Sequence, residues 1–127
     1  LCDAQTIAYV ACDDPADEHY AELKAMAAEL QAFRTADGRP YRLVPLPWPR
    51  TKLDNAGERM PATYANFLII NGAVLVPTYR DAADAAALEQ LKTCFPGREI
   101  IGIDCLPLIW QHGSLHCVTM QLPVGVL

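Results

Sequence analysis

Two stretches of this chain are laid out to one plan, and that recurrence constrains the fold more than any other feature. The segment from Val10 to Asp17 parallels the one from Val76 to Asp84, and each continues through a helical pattern into an apolar strand. In the first block, Thr6 to Ala11 reads as a short buried strand. Asp14 offers a helix N-cap, Pro15 suits the first helical position, and Asp17 follows three residues after the cap. The helix sets Tyr20, Leu23, Met26, Ala27, Leu30 and Phe33 on one face, at spacings of three and four. Gly38 closes that segment, and Tyr41 to Leu46 is a second strand, stopped by Pro45, Pro47 and Pro49 because each removes a ladder donor.

A polar loop from Trp48 to Met60 leads to the second block. Tyr64 to Ile70 reads as a strand, Asn71-Gly72 is a hairpin signal, and Ala73 to Tyr79 is the return strand. Asp81 or Asp84 caps a helix with Asp84, Leu88, Leu91 and Phe95 on one side, ended by Pro96-Gly97. Glu99 to Cys105 is the next strand, Leu106 to Trp110 a single helical turn, and His116 to Leu122 a final strand. The expected class is α/β, with residues 1–50 an incomplete β-α-β unit and residues 51–127 a ββαβ unit plus a last strand carrying a cysteine. Strand, Asp-x-x-Asp segment, helix and strand, twice over, suggest an α/β repeat.

The 127 residues suffice for one domain, and 52% apolar with 20% charged residues places the chain among globular rather than disordered sequences. A net charge of -5 with scattered basic residues argues against nucleic acid as a partner. Apolar runs such as Phe67 to Ile70 are far shorter than the ~20 residues of a membrane span, so no membrane role is expected. Five cysteines without C-x-x-C spacing fit neither a zinc ribbon nor a small disulfide scaffold; a reduced, cytoplasmic compartment is the expectation. There is no signal-peptide pattern, and a start at Leu1 suggests a piece of something longer.

The polar turn Gln111-His112-Gly113-Ser114 delivers Cys117 to the mouth of the last expected strand. A thiol held there is both fixed and approachable. Nucleophilic chemistry needs the thiolate, and an ordinary cysteine with a pKa of ~8.5 is mostly protonated at neutral pH, so it needs a base or a positive field. His116 is adjacent, but successive side chains of a strand face opposite ways, which would turn it from the site. His112 can fold back from the turn. On the residues alone Cys117 is either a nucleophile or a small apolar thiol in the core. His112, His116 and Cys117 are also conceivable metal ligands, but Gly113-Ser114 makes the helix that would align the two histidines improbable, and no metal is expected. The carboxylates Asp13, Asp14, Asp81 and Asp84 read as helix caps. Trp48 and Trp110 are large enough to anchor packing or wall a pocket. Phosphate-loop, dinucleotide and Ser-elbow motifs are absent from the sequence.

Several motifs, in order, carry a family resemblance. Thr63-Tyr64-Ala65-Asn66-Phe67, the stretch Asn71 to Tyr79, the stretch Phe95 to Cys105 and the stretch Gly113 to Gln121 together resemble the C-terminal part of the agmatine deiminase family, which includes bacterial-type peptidylarginine deiminases. The resemblance is dense over residues 62–122 and looser before. It implies a pentein, a propeller of five ββαβ-like units around a central site, with about two units present here. It also implies that Cys117 attacks the guanidinium carbon of a small guanidino substrate such as agmatine or a related arginine derivative. Ammonia leaves, and water releases a ureido product. Backbone groups around Gly113 and Ser114 are then expected to line the guanidinium pocket, with no cofactor and no metal.

Two departures qualify this. The family commonly has Gly-Gly-Gly-Asn where this chain has Gln111-His112-Gly113-Ser114, a stiffer turn that suggests a substrate other than agmatine. The family's catalytic histidine and substrate-gripping carboxylates belong to upstream W-x-R-D and H-x-D segments that this chain lacks; His19 is followed by Tyr20 and Ala21. A guanidinium needs paired carboxylates, and the thiol needs an acid-base histidine. The partner implied is therefore the missing N-terminal part of the same protein, and the 127-residue chain alone is expected to be inactive. Two alternatives stay open: an amidinotransferase of the same fold, and a non-catalytic α/β binding or assembly module. A partial propeller also leaves strand edges open, so a homo-oligomer is a further expectation.

Overall fold

A computed structural model of the chain describes residues 1–126. In order, its elements are β1 (Thr6–Val10), α1 (Tyr20–Ala32), β2 (Arg42–Leu46), β3 (Leu68–Ile70), β4 (Ala73–Thr78), α2 (Asp84–Cys94) and β5 (Glu99–Asp104). Two 3-10 turns follow, Leu108–Gln111 and His116–Val118. The class is α/β. β1 and β2 pair in parallel, with Thr6 opposite Arg42 and Val10 opposite Leu46. β4 is the middle strand of the second sheet, antiparallel to β3 and parallel to β5. The Asn71-Gly72 signal is realised as the β3–β4 hairpin, with Gly72 at φ 81°, a left-handed conformation that glycine adopts without strain.

One core joins the sheets. Val44 and Leu46 of β2, Val74 and Val76 of β4, and Ala87, Leu91 and Cys94 of α2 belong to a single buried cluster. Positions 87, 91 and 94 recur at helical spacing, which gives α2 its buried stripe. α1 buries no residue fully; Tyr20, Leu23, Met26, Ala27 and Leu30 form the expected face but stay half-exposed.

Three sequence expectations are corrected. α1 begins at Tyr20, not near Pro15, because Asp14 and Asp17 each close a local turn instead of capping the helix. Asp14 accepts from Ala16 N–H at 2.9 Å and Asp17 from His19 N–H at 2.9 Å. Likewise neither Asp81 nor Asp84 caps α2, whose N-cap is Ala83. Asp84 instead accepts from Tyr79 N–H, Asp81 N–H and the Tyr64 hydroxyl, at 3.0, 2.9 and 2.8 Å.

The third correction concerns the functional tail. The expected strand His116 to Leu122 is absent, and Cys117 lies on the 3-10 turn His116–Val118. The neighbouring β3 is also shorter than expected. Leu68 pairs with Leu75, so extending that register would set Pro77 opposite Asn66, and proline has no N–H to donate. β3 is accordingly short, beginning at Leu68 rather than Tyr64, and the Asn66 carbonyl accepts from His116 N–H at 3.3 Å. Gln121 Nε2 reaches the Ile69 carbonyl at 2.9 Å, a side chain standing where a ladder bond would be.

Candidate active site

Cys117 is exposed, so the reading of a core thiol fails; Cys12, Cys94 and Cys105 are the buried ones. Three local features hold its sulfur. Leu115 enters the turn in helical conformation, and Thr119 closes it, with N–H and hydroxyl both bonded to the His116 carbonyl at 3.1 and 2.8 Å. Asn66 then clamps the turn from the neighbouring segment. Its Oδ1 accepts from His116 N–H at 2.7 Å and its Nδ2 stands 3.4 Å from Cys117 Sγ.

The electrostatics follow from those donors. The Ser114 backbone N–H, joined by the Asn66 amide, holds the Cys117 thiol below its ordinary pKa, because both bonds strengthen when the sulfur is anionic. No charged partner is needed for that direction. Hydrogen bonding therefore shifts the thiol toward thiolate, on the open face of the turn.

Gly113 and Ser114 take different places from one another. A Cβ at Gly113 would lie 3.1 Å from Cys117 Cβ and 3.6 Å from its sulfur, so the absence of a side chain there lets the backbone pass close to the thiol. Ser114 is buried, and its Oγ faces inward to the Tyr79 hydroxyl at 2.8 Å rather than outward. Only its backbone N–H faces the sulfur. His112 sits in the left-handed region at φ 60°, where the resembled family commonly has glycine. It lines an open cleft with His19, Trp48, Arg59 and Thr63. Among the described residues neither His112 nor His116 hydrogen-bonds to Cys117. His116 lies beside the thiol on the same turn, so the strand alternation expected to separate them does not operate. Trp110 is half-exposed, while Trp48 carries Arg59 over its ring at 5.2 Å and donates to Asp17 at 2.9 Å.

Among the described residues no three His, Cys, Asp or Glu side chains gather in a metal-holding arrangement, and no helix is long and apolar enough to cross a membrane. Asn66 is a neighbour of the thiol that sequence reasoning did not single out. It stood in the quoted Thr63 to Phe67 motif, but its reach to Cys117 spans 51 residues and no local spacing reports it.

The chain is similar to several known proteins. The family model of Porphyromonas-type peptidyl-arginine deiminases matches residues 1–123. Agmatine deiminase of Pseudomonas fluorescens is 34% identical over 128 residues, covering 87% of this chain and 35% of that protein. The crystal structure of a proposed arginine deiminase from Porphyromonas gingivalis superposes with TM-score 0.94 at 62% identity, over 98% of this chain and 37% of its own. A cysteine-to-serine variant of C. jejuni agmatine deiminase with substrate bound superposes with TM-score 0.82 at 39% identity, over 91% of this chain and 33% of its own. The chain thus spans about a third of the length of the curated relatives it matches.

Proposed function

The chain belongs to the Porphyromonas-type peptidyl-arginine deiminase family, and from that premise we propose that Cys117 is the nucleophile with which the full-length protein hydrolyses a guanidino group. The observation that carries this reading is an exposed thiol with the Asn66 amide nitrogen 3.4 Å from its sulfur. A hydrogen-bonded, approachable thiolate is what attack on a guanidinium carbon requires.

The steps balance as follows. The Cys117 thiolate forms a C–S bond at the guanidinium carbon, and the bond from that carbon to one terminal nitrogen breaks. The nitrogen takes a proton and leaves as ammonia. Water then adds to the amidino-thioether carbon, the C–S bond breaks, the thiolate is restored, and the product carries a ureido group. Proton delivery and removal call for a histidine, and the planar cation calls for paired carboxylates. We place both in the part of the protein that the relatives carry beyond this chain. The fold reading is of the same kind: the two parallel β-α-β elements are taken as two units of a five-unit pentein propeller, with Gly113 and the Ser114 backbone lining the guanidinium pocket. Agmatine and arginine derivatives are the substrate class, since relatives are named for both.

The test has two arms. In full-length protein, Cys117→Ala is expected to abolish release of ureido product and ammonia, and retained turnover would overturn the reading. The purified 127-residue chain is expected to release none. A new guanidine in place of ammonia would mark amidino transfer instead.

A further inference from the structure

Behind the cysteine turn lies a buried group that the chemistry above does not use. Tyr79 follows β4 directly, and it is fully buried. Its hydroxyl gathers three hydrogen bonds: to the Thr63 carbonyl at 2.9 Å, from the Thr63 N–H at 3.1 Å, and with Ser114 Oγ at 2.8 Å. A phenol has one proton; with that proton on the Thr63 carbonyl, Ser114 is the donor in the third bond. Burial pushes the Tyr79 phenol up, so it stays a neutral hydroxyl at neutral pH.

Those three bonds run to the two segments that present donors to Cys117. Thr63 opens the turn closed by Asn66 N–H at 3.3 Å from the Thr63 carbonyl, and Asn66 Nδ2 reaches the sulfur. Ser114 is the residue whose N–H faces the same sulfur. The two segments are 51 residues apart in sequence at the sulfur, and the Tyr79 hydroxyl bonds to both. Resting on the reading of Cys117 as nucleophile, we infer that Tyr79 is a positioning residue: its hydroxyl ties the Thr63–Asn66 turn to the cysteine turn, so that the Ser114 N–H and the Asn66 amide stay aimed at the thiol.

Removing that oxygen leaves the ring in place. Tyr79→Phe strands Ser114 Oγ, a buried polar atom, without a partner. The Thr63–Asn66 turn and the cysteine turn then lose the hydroxyl they share, and the donors they aim at the sulfur are free to drift. Asp17 supplies the control, since its largely buried pair with Arg59, at 2.9 Å, bonds to neither cysteine-facing segment.

The experiment is site-resolved alkylation of Cys117 by iodoacetamide as a function of pH in the full-length protein, read by peptide mass spectrometry beside thermal stability. Wild type is expected to show a thiolate midpoint below that of an ordinary cysteine. Tyr79→Phe and Ser114→Ala are each expected to raise the midpoint by about one pH unit, a tenfold loss of thiolate below it. Asp17→Asn should lose stability and leave the midpoint where it was. Should Tyr79→Phe fail to fold, Ser114→Ala carries the test, since it keeps every Tyr79–Thr63 bond. A depressed wild-type midpoint that neither variant moves, or that Asp17→Asn moves equally, overturns the inference and leaves the proposed function standing. An ordinary wild-type midpoint overturns both.

Discussion

Gly113→Ala separates packing from catalysis more sharply than any other single change. The backbone at Gly113 does not need glycine for its φ, so alanine adds a methyl group and no backbone strain. The added carbon would sit 3.1 Å from Cys117 Cβ and 3.0 Å from Gln111 Nε2. Gln111 is exposed and swings aside at little cost. The Cys117 Cβ is the root of the nucleophile, and to regain ordinary contact it must retreat by a few tenths of an ångström. A misplacement of about 1 Å at a reacting centre costs about 100-fold in rate, so a few tenths correspond to roughly threefold to tenfold. Stability should hardly change. Replacing glycine by alanine removes unfolded-state freedom, a gain of about 0.4–1 kcal/mol, against a similar cost for crowding. The assay is steady-state release of ureido product by full-length protein, beside Tm for wild type and variant. The expected result is a kcat/KM lower by roughly threefold to tenfold at nearly constant Tm. Unchanged activity would refute the reasoning, as would full rescue by adding Gln111→Ala, which would show that the glutamine was the clash.

Three other changes bear on the same account. Asn66→Asp replaces an amide donor 3.4 Å from the sulfur by a carboxylate; repulsion should raise the Cys117 alkylation midpoint by about one unit or more, and an unchanged profile would remove Asn66 from the site. Asp17→Asn breaks a largely buried pair with Arg59, whose Nη2 is 2.9 Å from Asp17 Oδ2, and should cost about 2–3 kcal/mol near neutral pH. Hydrogen bonds from Arg59 hold the Asp17 carboxyl well below the usual range, so its contribution is fully present above the unfolded-state pKa of ~3.9 and fades as pH falls through the lower folded value. Wild type and Asp17→Asn should therefore converge in Tm on acidification, and a constant gap would contradict the ion-pair account. Among the described residues, the outer edges of β3 and β5, and both strands of the two-stranded sheet, end without a further partner strand. The 127-residue chain should self-associate through one of them, and a strictly monomeric particle at high concentration in scattering would count against that.

What the sequence disclosed and what it hid divide along physical lines. β1, β2, β4 and β5 were visible because apolar runs between turn residues are local signals, and Asn71-Gly72 encodes its own hairpin. The start of α1 was hidden, since an aspartate closing its own turn looks the same in sequence as one capping a helix. The missing last strand was hidden more deeply, because the bonds that hold that segment, from His116 N–H to Asn66 and from the Gln121 amide to Ile69, join residues 50 and 52 apart in sequence. The order of the flanking motifs singled out Cys117 and Gly113, which the structure sets side by side. The inward turn of Ser114 was not, as its partner Tyr79 is 35 residues away. The left-handed backbone of His112 also lay beyond reach, for nothing in that residue type demands φ 60°.

The most direct measurement is a rapid quench of full-length protein during turnover of a guanidino substrate, followed by peptide mass spectrometry. The account predicts an adduct on the Cys117 peptide with the mass of the substrate less ammonia, rising and decaying within a turnover. An adduct on another cysteine, or ureido product formed at the wild-type rate after Cys117→Ala, would contradict it.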